Sequence, residues 1–534
     1  MSVPVRPRRV QPRPLRELAD LLCVPISSIG PRRSAERLLS GVTHDSRRVL
    51  PGDLYVALPG SRQHGAEFAA AAAAAGAAAV LTDAAGSSRA AAAGLPALVV
   101  ADPRARLGKV ASFVYGNPSA RLLMVGVTGT SGKTTTTYFL EAALRMAGHR
   151  SGLIGGVETR VAGETMASAL TTPEAPDLQA VLAVMVERGV TAAAMEVSSH
   201  ALALGRVAGT SYDVAIFTNL SQDHLDFHAD IDDYFAAKAR LFTPAYSGVG
   251  VVNVDDKYGR MLAGSAPIPV TTFSADGNPG ADWRAVDVRL GTDGSSMRVV
   301  GPGGVEADGV VALPGPFNVA NALGAVVALV EAGIGLQTAV AGVAACPGVP
   351  GRLEQVDVGQ DFTVFVDYSH KPAAVEAVLR ALRPVTQGTL TIVLGCGGDR
   401  DATKRPMMGA IAARLADVAI FTSDNPRSED PLAILTAMLD GAIDVPQAQR
   451  AHVIVEPDRA AAILQAVASA GRGDVIVVAG KGHEMGQYVA GSVLPFDDRQ
   501  VAAEALRRER AQGARQPITL TASDSERLGG EVAP

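Results

Sequence analysis

The chain has few cysteines, and none of them lies at the spacing of a metal or redox motif. Cys23, Cys346 and Cys396 are far apart in the sequence. A disulfide framework or a zinc knuckle needs several cysteines at close, regular spacings. Neither is therefore expected, and this cysteine usage indicates the reducing environment of the cytoplasm.

The sequence also lacks a long apolar run and an excess of positive charge. Arginines and prolines are interleaved over residues 6–16 with no continuous apolar stretch after them, so we expect a disordered start rather than a secretory signal. The alanine-rich run 69–81 is too short for a bilayer span, which needs about 20 residues, and is read as a helix of a soluble domain. A net charge of −6 gives no reason to expect a nucleic-acid partner. We expect neither a membrane nor a nucleic acid to bind the chain.

The 534 residues are too many for one hydrophobic core, and about 150 residues per domain suggests roughly three domains. Short strand-like runs alternate with alanine-rich helix over residues 15–118, and the alternation becomes regular from residue 121 onward. A turn-forming break at 346–351 follows a last helix predicted over 318–333, and a new series of strands then begins.

These patterns predict an α/β fold of three domains, in which the second and third domains contain doubly wound parallel sheets. The second resembles a P-loop ATPase and the third a Rossmann fold. Periodicity is lost after residue 513, so we expect a disordered tail. The predicted domain bounds are 1–119, 120–348 and 349–534.

The most informative stretch is residues 122–137, LLMVGVTGTSGKTTTT. An apolar run typical of a buried strand stops at a glycine-rich turn, and Lys133 and Thr134 then begin a helix. Such a loop points backbone N–H groups and the positive end of a helix dipole at an anion, while the lysine adds a charge for phosphates and the next hydroxyl binds Mg²⁺. The general P-loop pattern requires glycine at Val127, but the other features predict a site for ATP and Mg²⁺.

A second candidate for the metal is Glu196, near the end of the predicted strand 192–197. Another strand is predicted over 214–218, and parallel strands gather ligands at their carboxyl ends. Mg²⁺ prefers oxygen ligands, so Glu196 and Thr134 are candidates. The alternative is a solvated surface glutamate.

Residues 221–242 carry polar groups whose role the pattern leaves open. His224 and His228 are at helical spacing, but Leu225 replaces the glutamate of H-E-x-x-H, so a zinc hydrolase is not expected. His224 is a candidate for a second metal or the substrate, and packing of both histidines in a cap or core is the alternative. An amphipathic helix is predicted over 232–242, and by residue type alone Lys238 is a surface cation on it.

The third predicted domain places charged residues after successive strands. The glycine-rich turn 395–400 has Arg400 at the third glycine position of G-x-G-x-x-G, which favours a turn presenting Asp399 and Arg400 to a ligand over a dinucleotide site. After the next strand, Pro426 stiffens the turn that carries Asp424 and Arg427. Two arginines suit carboxylates and an aspartate suits an ammonium group, so an amino-acid substrate is predicted.

Taken together, these residues resemble the Mur ligase family, and within it the ligases that add diaminopimelate. The likeness extends from residue 15 to about 508. The loop at 129–135, GTSGKTT, is similar to the family's G-T-N-G-K-T-T with Ser131 for the usual asparagine, and the family loop also lacks the first P-loop glycine. Ser369 replaces a more frequent alanine. Further matches in family order are TTP at 171–173, MEVSSH at 195–200, DHLD at 223–226, NVAN at 318–321, GRLE at 351–354 and DYSHKP at 367–372.

The resemblance implies a role for each matching residue. It makes Lys133, Glu196, His224 and Lys238 catalytic, with Lys238 carbamylated, and it makes Thr134, Glu196, His224 and Lys238 the metal ligands. ATP would be bound by Gly129, Thr130, Ser131, Gly132, Lys133, Thr134, Thr135, Asn318, Arg352 and Asp367. The uridine nucleotide substrate would be bound by His44, Ser46, Ser61, Arg62, Gln63, Thr171, Thr172, Ser198 and Arg206. Diaminopimelate would be bound by Arg400, Asp424, Asn425, Pro426, Arg427, Gly480 and Glu484.

The implied activity is ATP-dependent formation of an amide bond between a UDP-linked muramoyl dipeptide and meso-diaminopimelate, through an acyl phosphate. We expect a monomer with small-molecule substrates. One alternative in the same chemistry is a lysine-adding or folylpolyglutamate-type ligase, which the charges around Arg427 distinguish from the implied activity. A P-loop mechanochemical ATPase or switch would hydrolyse ATP without an amine acceptor, and a silent nucleotide-binding module would not turn over.

Overall fold

The runs of valine, isoleucine, leucine and alanine that mark strands in the sequence form parallel sheets in the computed structural model of the chain. The structure describes residues 5–27, 34–166 and 170–513. The predicted disordered tail lies outside these residues. The α/β class is confirmed, and the chain divides into two units, residues 1–349 and 350–534. The predicted boundary at 119/120 falls inside the first unit, and the division into three domains stays a prediction.

The first unit begins with a small sheet that is parallel apart from one edge pair. Its strands, in spatial order, are Ile26–Ser27, Ala97–Val99, Ala79–Thr82, Asp53–Val56 and Gly41–Thr43. A separate short pair joins Arg13–Pro14 to Leu38–Leu39. The helices of this part are Leu15–Leu22, Ala69–Ala74, Ser87–Ala92 and Pro103–Val114.

Two expectations for this region need correction. The alanine-rich run is not one helix, because the helix ends at Ala74, Gly76 takes φ +94°, and the chain enters the buried strand Ala79–Thr82. The start of the chain is packed from Val5 onward, since Arg6 forms an ion pair of 2.9 Å with the buried carboxylate of Asp53. A buried carboxylate requires such a partner.

The larger sheet of the first unit has a parallel centre flanked by antiparallel strands. Its central strands are buried on both faces, which is why they read as continuous apolar runs. In spatial order the described strands are Glu164–Met166, Thr159–Val161, Ser151–Ile154, Ala192–Glu196, Leu123–Thr128, Tyr212–Phe217, Ser247–Asn253, Val270–Ser274, Trp283–Gly291, Gly294–Val300 and Glu306–Val311. The helices are Lys133–Met146, Ala175–Glu187, Ser199–Ala203, Ile231–Ala239, Lys257–Ser265, Pro316–Glu331 and Leu336–Ala344.

The helix predicted over 318–333 runs from Pro316 to Glu331 and is not the last of its domain. A further helix, Leu336–Ala344, follows directly after Gly333 and Gly335. Its sequence LQTAVAGVA contains no charged residue, so it lacks the polar face by which an amphipathic helix is recognised.

The second unit has one main sheet, parallel apart from its first strand pair. In spatial order the described strands are Glu354–Gln355, Thr363–Asp367, Val475–Ala479, Leu390–Leu394, Val418–Phe421 and His452–Val455. The helices are Pro372–Leu382, Lys404–Leu415, Pro431–Ile443, Arg459–Ala468 and Asp498–Gly513, and a hairpin pairs Gly486–Val489 with Ser492–Pro495. None of the helices in the described part of the chain combines the length and apolar character that crossing a bilayer requires.

A fully buried ion pair fixes the end of this sheet. Both side chains of Arg459 and Asp498 are 0% exposed, and the guanidinium donates to the two carboxylate oxygens at 2.7 Å each. Arg459 also donates to the carbonyl oxygens of Ala479 (3.0 Å) and Ser423 (3.4 Å), which lie next to the ends of two strands. The pair therefore joins the last helix to the edge of the sheet where polar loops begin.

We expect Asp498→Ala to lower the free energy of unfolding of the second unit by about 3–5 kcal/mol, because it leaves the Arg459 guanidinium buried without a counter-charge. Urea denaturation of the full chain measures this change. Arg380→Ala is the control, since Arg380 pairs with Glu376 at 63% and 41% exposure and such surface pairs contribute about 1 kcal/mol or less. Equal effects of the two variants would contradict the role given to the buried pair.

Candidate functional site

The glycines of the P-loop are required by its close packing. A Cβ on Gly129 would lie 1.9 Å from Oγ1 of Thr218, and a Cβ on Gly132 would lie 2.2 Å from Oδ1 of Asn321. Both glycines have positive φ, +150° and +87°. The loop conformation that faces N–H groups toward an anion is therefore available to this sequence only with glycine at both positions.

Two lysine ammonium groups meet on one carbonyl oxygen of this loop. Lys133 Nζ donates to the carbonyls of Gly129 (2.8 Å) and Thr130 (2.9 Å), and Lys238 Nζ donates to the same Gly129 carbonyl at 2.8 Å. Lys238 is 1% exposed and its Nζ lies 4.6 Å from the ring centre of Tyr234. The surface position inferred from residue type is thus wrong for Lys238, which is buried beside the phosphate loop.

Glu196 is the last residue of its strand and is 2% exposed, so the surface alternative is wrong. Its Oε1 accepts hydrogen bonds from Oγ1 of Thr134 at 3.0 Å and from the backbone N–H of Gly156 at 2.9 Å. Its carbonyl oxygen accepts from Oγ1 of Thr172 at 2.9 Å. The carboxylate therefore joins the first turn of the P-loop helix to the loop of Gly156, and the backbone carbonyl of the same residue holds the loop of Thr172.

The two histidines predicted at helical spacing have different surroundings. Residues 225–227 form a turn rather than a helix, and His224 has φ +54°. His224 Nε2 lies 3.2 Å from Oδ2 of Asp223, and its ring lies 4.7 Å from that of His200, whose pKa is lowered chiefly by burial. His228 is 3% exposed and its Nδ1 lies 3.1 Å from Oδ2 of Asp233. His228 thus fits the packed alternative.

Residues predicted to hold the muramoyl dipeptide adjoin Glu196. The backbone N–H of Ser198 donates to Oγ1 of Thr172 at 3.2 Å, and Ser198 caps the helix Ser199–Ala203. Arg206 Nε lies 2.8 Å from Oε1 of Glu174, in an ion pair at the start of the helix Ala175–Glu187. Thr171 is half-buried beside Thr172.

Residues predicted to hold the uridine nucleotide lie on the small sheet. Ser46 begins a short 3₁₀ turn after the strand Gly41–Thr43, and residues 61–63 are exposed after the strand Asp53–Val56. His44 is half-buried, and burial lowers its pKa.

An ion pair connects the small sheet to the larger one. Arg48 Nη2 lies 2.7 Å from Oδ1 of Asp177, in the first turn of the helix Ala175–Glu187. This pair links the loop that carries Ser46 to the segment that carries Thr171 and Thr172.

A cavity of about 220 Å³ opens beside the P-loop, lined among others by Asn219, Asp255, Phe317 and Asn321. Asn219 Oδ1 accepts from the backbone N–H of Ser131 at 3.0 Å. Asn321 Nδ2 donates to Oδ1 of Asn318 at 3.2 Å, so the predicted nucleotide residue Asn318 is hydrogen-bonded to a residue that lines the cavity. Sequence reasoning missed Asp255, although its position after a strand was a usable signal.

Two further predicted nucleotide residues belong to the second unit. Asp367 Oδ2 accepts from the backbone N–H of Leu353 (2.7 Å) and Oδ1 accepts from that of Ser369 (2.8 Å). The guanidinium of Arg352 lies 4.5 Å from the ring centre of Tyr368. In the same loop, burial lowers the pKa of His370 to about 4. Asp367 is thus fixed by backbone donors at the end of its strand.

The residues predicted to bind diaminopimelate gather at the carboxyl edge of the main sheet of the second unit, which is called the second sheet below. Asp424 and Asn425 are buried, and Asn425 Nδ2 donates to Oε2 of Glu484 at 2.8 Å. Asp424 Oδ2 is buried without a hydrogen-bond partner among the described residues. A Cβ on Gly480 would lie 2.5 Å from that oxygen, so glycine is needed there.

The two predicted arginines lie around the neighbouring glycine-rich turn. Arg427, with φ +54°, follows Pro426 and donates through Nη1 to the carbonyl of Gly398 at 2.6 Å. Arg400 is exposed and its Nη1 lies 3.4 Å from the carbonyl of Asp399. Asp399, expected to face a ligand, accepts from Oγ of Ser428 at 2.6 Å, which lowers its pKa. It joins the two loops.

Comparison with known proteins identifies the family to which this architecture belongs. Three family models match successive parts of the chain: "Mur ligase family, catalytic domain" at residues 38–115, "Mur ligase middle domain" at 127–329 and "Mur ligase, glutamate ligase domain" at 351–482. The chain belongs to the Mur ligase family. The three matches include the P-loop, Glu196, Lys238 and most of the polar edge of the second sheet.

Individual relatives of this Mur ligase agree with the family models. A UDP-N-acetylmuramoyl-L-alanyl-D-glutamate–2,6-diaminopimelate ligase of Streptomyces coelicolor is 61% identical over 95% of this chain and 98% of its own. The ligase of the same name from Streptomyces avermitilis is 59% identical over the same shares. A solved structure with that name superposes with a TM-score of 0.67 at 30% identity, covering 94% of this chain and 100% of that one.

We expect Gly132→Ala in this Mur ligase to weaken nucleotide binding by about tenfold or more, because the added Cβ would meet Asn321 and distort the phosphate loop. Calorimetric titration with ADP measures the affinity. Gly148→Ala is a matched control, since Gly148 has nearly the same φ, +86°, and no atom within 4 Å of its added Cβ. Equal losses in both variants would show that backbone strain, not the contact with Asn321, is responsible.

Proposed function

We propose that this chain is an ATP-dependent ligase that joins meso-diaminopimelate to UDP-N-acetylmuramoyl-L-alanyl-D-glutamate, a step in the synthesis of peptidoglycan precursors. The observation that carries this proposal is the identity of 61% and 59%, over 95% of this chain, with the two Streptomyces ligases of that name. The P-loop, the buried Glu196 and the charged loops of the second unit suit this chemistry.

The reaction must activate a carboxylate, because an oxide is a very poor leaving group. Phosphoryl transfer from ATP to the γ-carboxylate of D-glutamate breaks the bond to ADP and forms an acyl phosphate. An amine of diaminopimelate then attacks the acyl carbon, a C–N bond forms, phosphate leaves, and the nitrogen loses a proton. The protein positions the reactants and neutralises charge on the transferred group.

The P-loop residues suit the first step. Lys133 is held over the loop by two carbonyls, and the loop packing preserves the backbone conformation that binds phosphate. We assign Lys133 to the phosphates and residues 129–135 to the phosphate cradle. Arg352, Asp367 and Asn318 are proposed for the remainder of the nucleotide.

The residues around Glu196 fit a hard divalent cation. The carboxylate is buried and already accepts a bond from the Thr134 hydroxyl, so oxygen donors are present together. Among the described residues no three His, Cys, Asp or Glu side chains form a cluster, so a cation here would need other oxygens as well. We propose that Thr134, Glu196, His224 and carbamylated Lys238 hold Mg²⁺. Bound there, Mg²⁺ would neutralise phosphate charge.

The remaining polar residues are assigned to the other substrates. We assign Thr171, Thr172, Ser198 and Arg206 to the muramoyl dipeptide, and His44, Ser46 and residues 61–63 to the uridine nucleotide. Arg400, Arg427, Asp424, Asn425, Pro426, Gly480 and Glu484 are assigned to diaminopimelate. Widely spaced cysteines and ATP use support a cytoplasmic location, and a net charge of −6 supports the absence of a nucleic-acid partner. We propose a monomer.

The proposed function predicts that ADP release requires both the UDP-linked dipeptide and meso-diaminopimelate, with a stoichiometric tripeptide product. Coupled ADP assay and mass spectrometry, with candidate amino acids supplied one at a time, measure this. Steady ADP release without an amine acceptor would instead favour the mechanochemical ATPase. Turnover with lysine but not diaminopimelate would favour the lysine-adding alternative.

The assignment of Arg427 to the diaminopimelate pocket makes a further prediction. The variant Arg427→Ala should lose affinity for diaminopimelate and retain its affinity for the nucleotide.

Carbamylation of Lys238 predicts a carbamate carbon signal when the protein is equilibrated with ¹³C-bicarbonate, because the amine adds CO₂ to form a carboxylate. Carbon NMR detects this signal. Lys238→Arg is the control, since a guanidinium keeps the charge but forms no such carbamate. A spectrum that is the same for both proteins would refute the proposed modification.

A further inference from the structure

Lys481 is a fully buried cation in the second unit, and its ammonium group is completely paired. The side chain is 0% exposed. Its Nζ donates to Oδ1 of Asn425 at 2.9 Å, to Oε2 of Glu484 at 3.0 Å and to the carbonyl of Gly486 at 2.7 Å. An ammonium has three protons to donate. Three acceptors therefore account for all of them, which is the condition under which a buried charge is tolerated.

The first two acceptors are residues assigned to the amino-acid pocket. Asn425 Oδ1 also accepts from the backbone N–H of Tyr488 at 3.0 Å, and Asn425 Nδ2 donates to Glu484 Oε2 at 2.8 Å. Two donors on the oxygen and one acceptor on the nitrogen fix which way the amide faces. Lys481 and the amide together hold one oxygen of the Glu484 carboxylate.

The third acceptor ties the pocket to the hairpin. Gly486 is the first residue of the hairpin strand Gly486–Val489. That strand binds the loop of Arg427, since the backbone N–H of Arg427 donates to the carbonyl of Tyr488 at 2.9 Å and Gln487 Nε2 donates to the carbonyl of Asp424 at 2.8 Å. Lys481 therefore holds the loop of residues 424–427 directly through Asn425 and indirectly through the hairpin.

Charge is the second reason that Lys481 matters. The pocket contains the carboxylates of Asp424 and Glu484, and Asp424 Oδ2 has no hydrogen-bond partner among the described residues. Without the buried ammonium, Glu484 would lose its counter-charge and Asn425 one of the two donors that fix its amide. The Glu484 carboxylate would then be held only by the amide of Asn425 and would turn more easily toward solvent.

We propose that Lys481 is a positioning residue for the acceptor amino acid, which holds Glu484, Asn425 and the loop of Arg427 in their binding arrangement. The inference rests on the proposed function for the identity of the acceptor. Lys481 itself is enclosed by its three acceptors, so it acts through them.

The test uses Lys481→Met, which keeps an unbranched chain of similar length and removes the charge. We expect the KM for meso-diaminopimelate to rise about tenfold or more, since hydrogen bonds to charged groups are lost. The KM values for ATP and for the UDP-linked dipeptide should stay within about twofold, because their assigned residues make no bond to Lys481, and kcat at saturation should fall much less than kcat/KM.

Arg383→Met is a control at a more exposed cation within the same unit. Arg383 also has three acceptors, Oδ2 of Asp417 and the carbonyls of Thr386 and Gly388, but these lie at the amino ends of the strands. The control should lower thermal stability and leave the KM for diaminopimelate unchanged. If both variants raise this KM equally, Lys481 has only a structural role and the proposal is wrong.

A double-variant cycle with Glu484→Gln separates the remaining outcomes. If Lys481 acts through Glu484, Lys481→Met should add little to the KM increase of Glu484→Gln, whereas full additivity would overturn the proposal. Should Lys481→Met not fold, Lys481→Arg takes its place, since a guanidinium cannot place three donors on the same acceptors, and an unchanged KM would then refute the proposal. Wild-type protein that ligates no diaminopimelate would refute the proposed function instead.

Discussion

The carboxylate of Glu196 is the constraint on which the first unit depends. It ends a central strand, accepts from the first turn of the P-loop helix and from Gly156, and offers its carbonyl to Thr172. Three segments that are distant in sequence are thus held by one residue, two of them by its buried carboxylate and the third by its backbone carbonyl. Such a carboxylate is stable in the interior only when hydrogen bonds or a cation compensate it, so the hydrogen bonds that order the loops also stabilise the buried carboxylate, and the proposed Mg²⁺ would add to this compensation.

The second unit uses the opposite sign of charge for a similar purpose. Lys481 and Arg459 are buried cations, and both bind groups that lie at or after the carboxyl ends of strands, Asn425 for Lys481 and Ala479 for Arg459. Arg459 supports the backbone at Ser423 and Ala479, while Lys481 orients the side chains that follow. In both units a parallel sheet brings loops to one edge, and a buried charge then fixes them.

The features that depend on local sequence patterns, namely the central strands and the P-loop helix, could be predicted from the sequence. Apolar runs ending in glycine-rich or polar turns predict the central strands, and the spacing of Lys133 and Thr134 after such a run predicts the P-loop helix within one residue. The family resemblance named residues that the structure brings together, among them Thr172 with Ser198 and Asn425 with Glu484.

What the sequence could not supply depends on tertiary packing. Lys238 reads as a surface cation because its helix is amphipathic, and only the folded chain shows it buried against Gly129. The helix Leu336–Ala344 lacks charged residues that would mark a face, and the run at 69–81 changes from helix to strand at a glycine. Lys481 follows a strand without any pattern that indicates complete burial.

The pairing of Arg459 with Asp498 has a consequence for how the chain is made on the ribosome. Arg459 emerges 39 residues before its partner, and every strand of the second sheet has emerged before Asp498 does. Until the helix beginning at Asp498 docks, the guanidinium cannot enter the interior without a large desolvation cost. The polar edge of this unit is therefore completed late, by one of the last segments to be synthesised among those the structure describes.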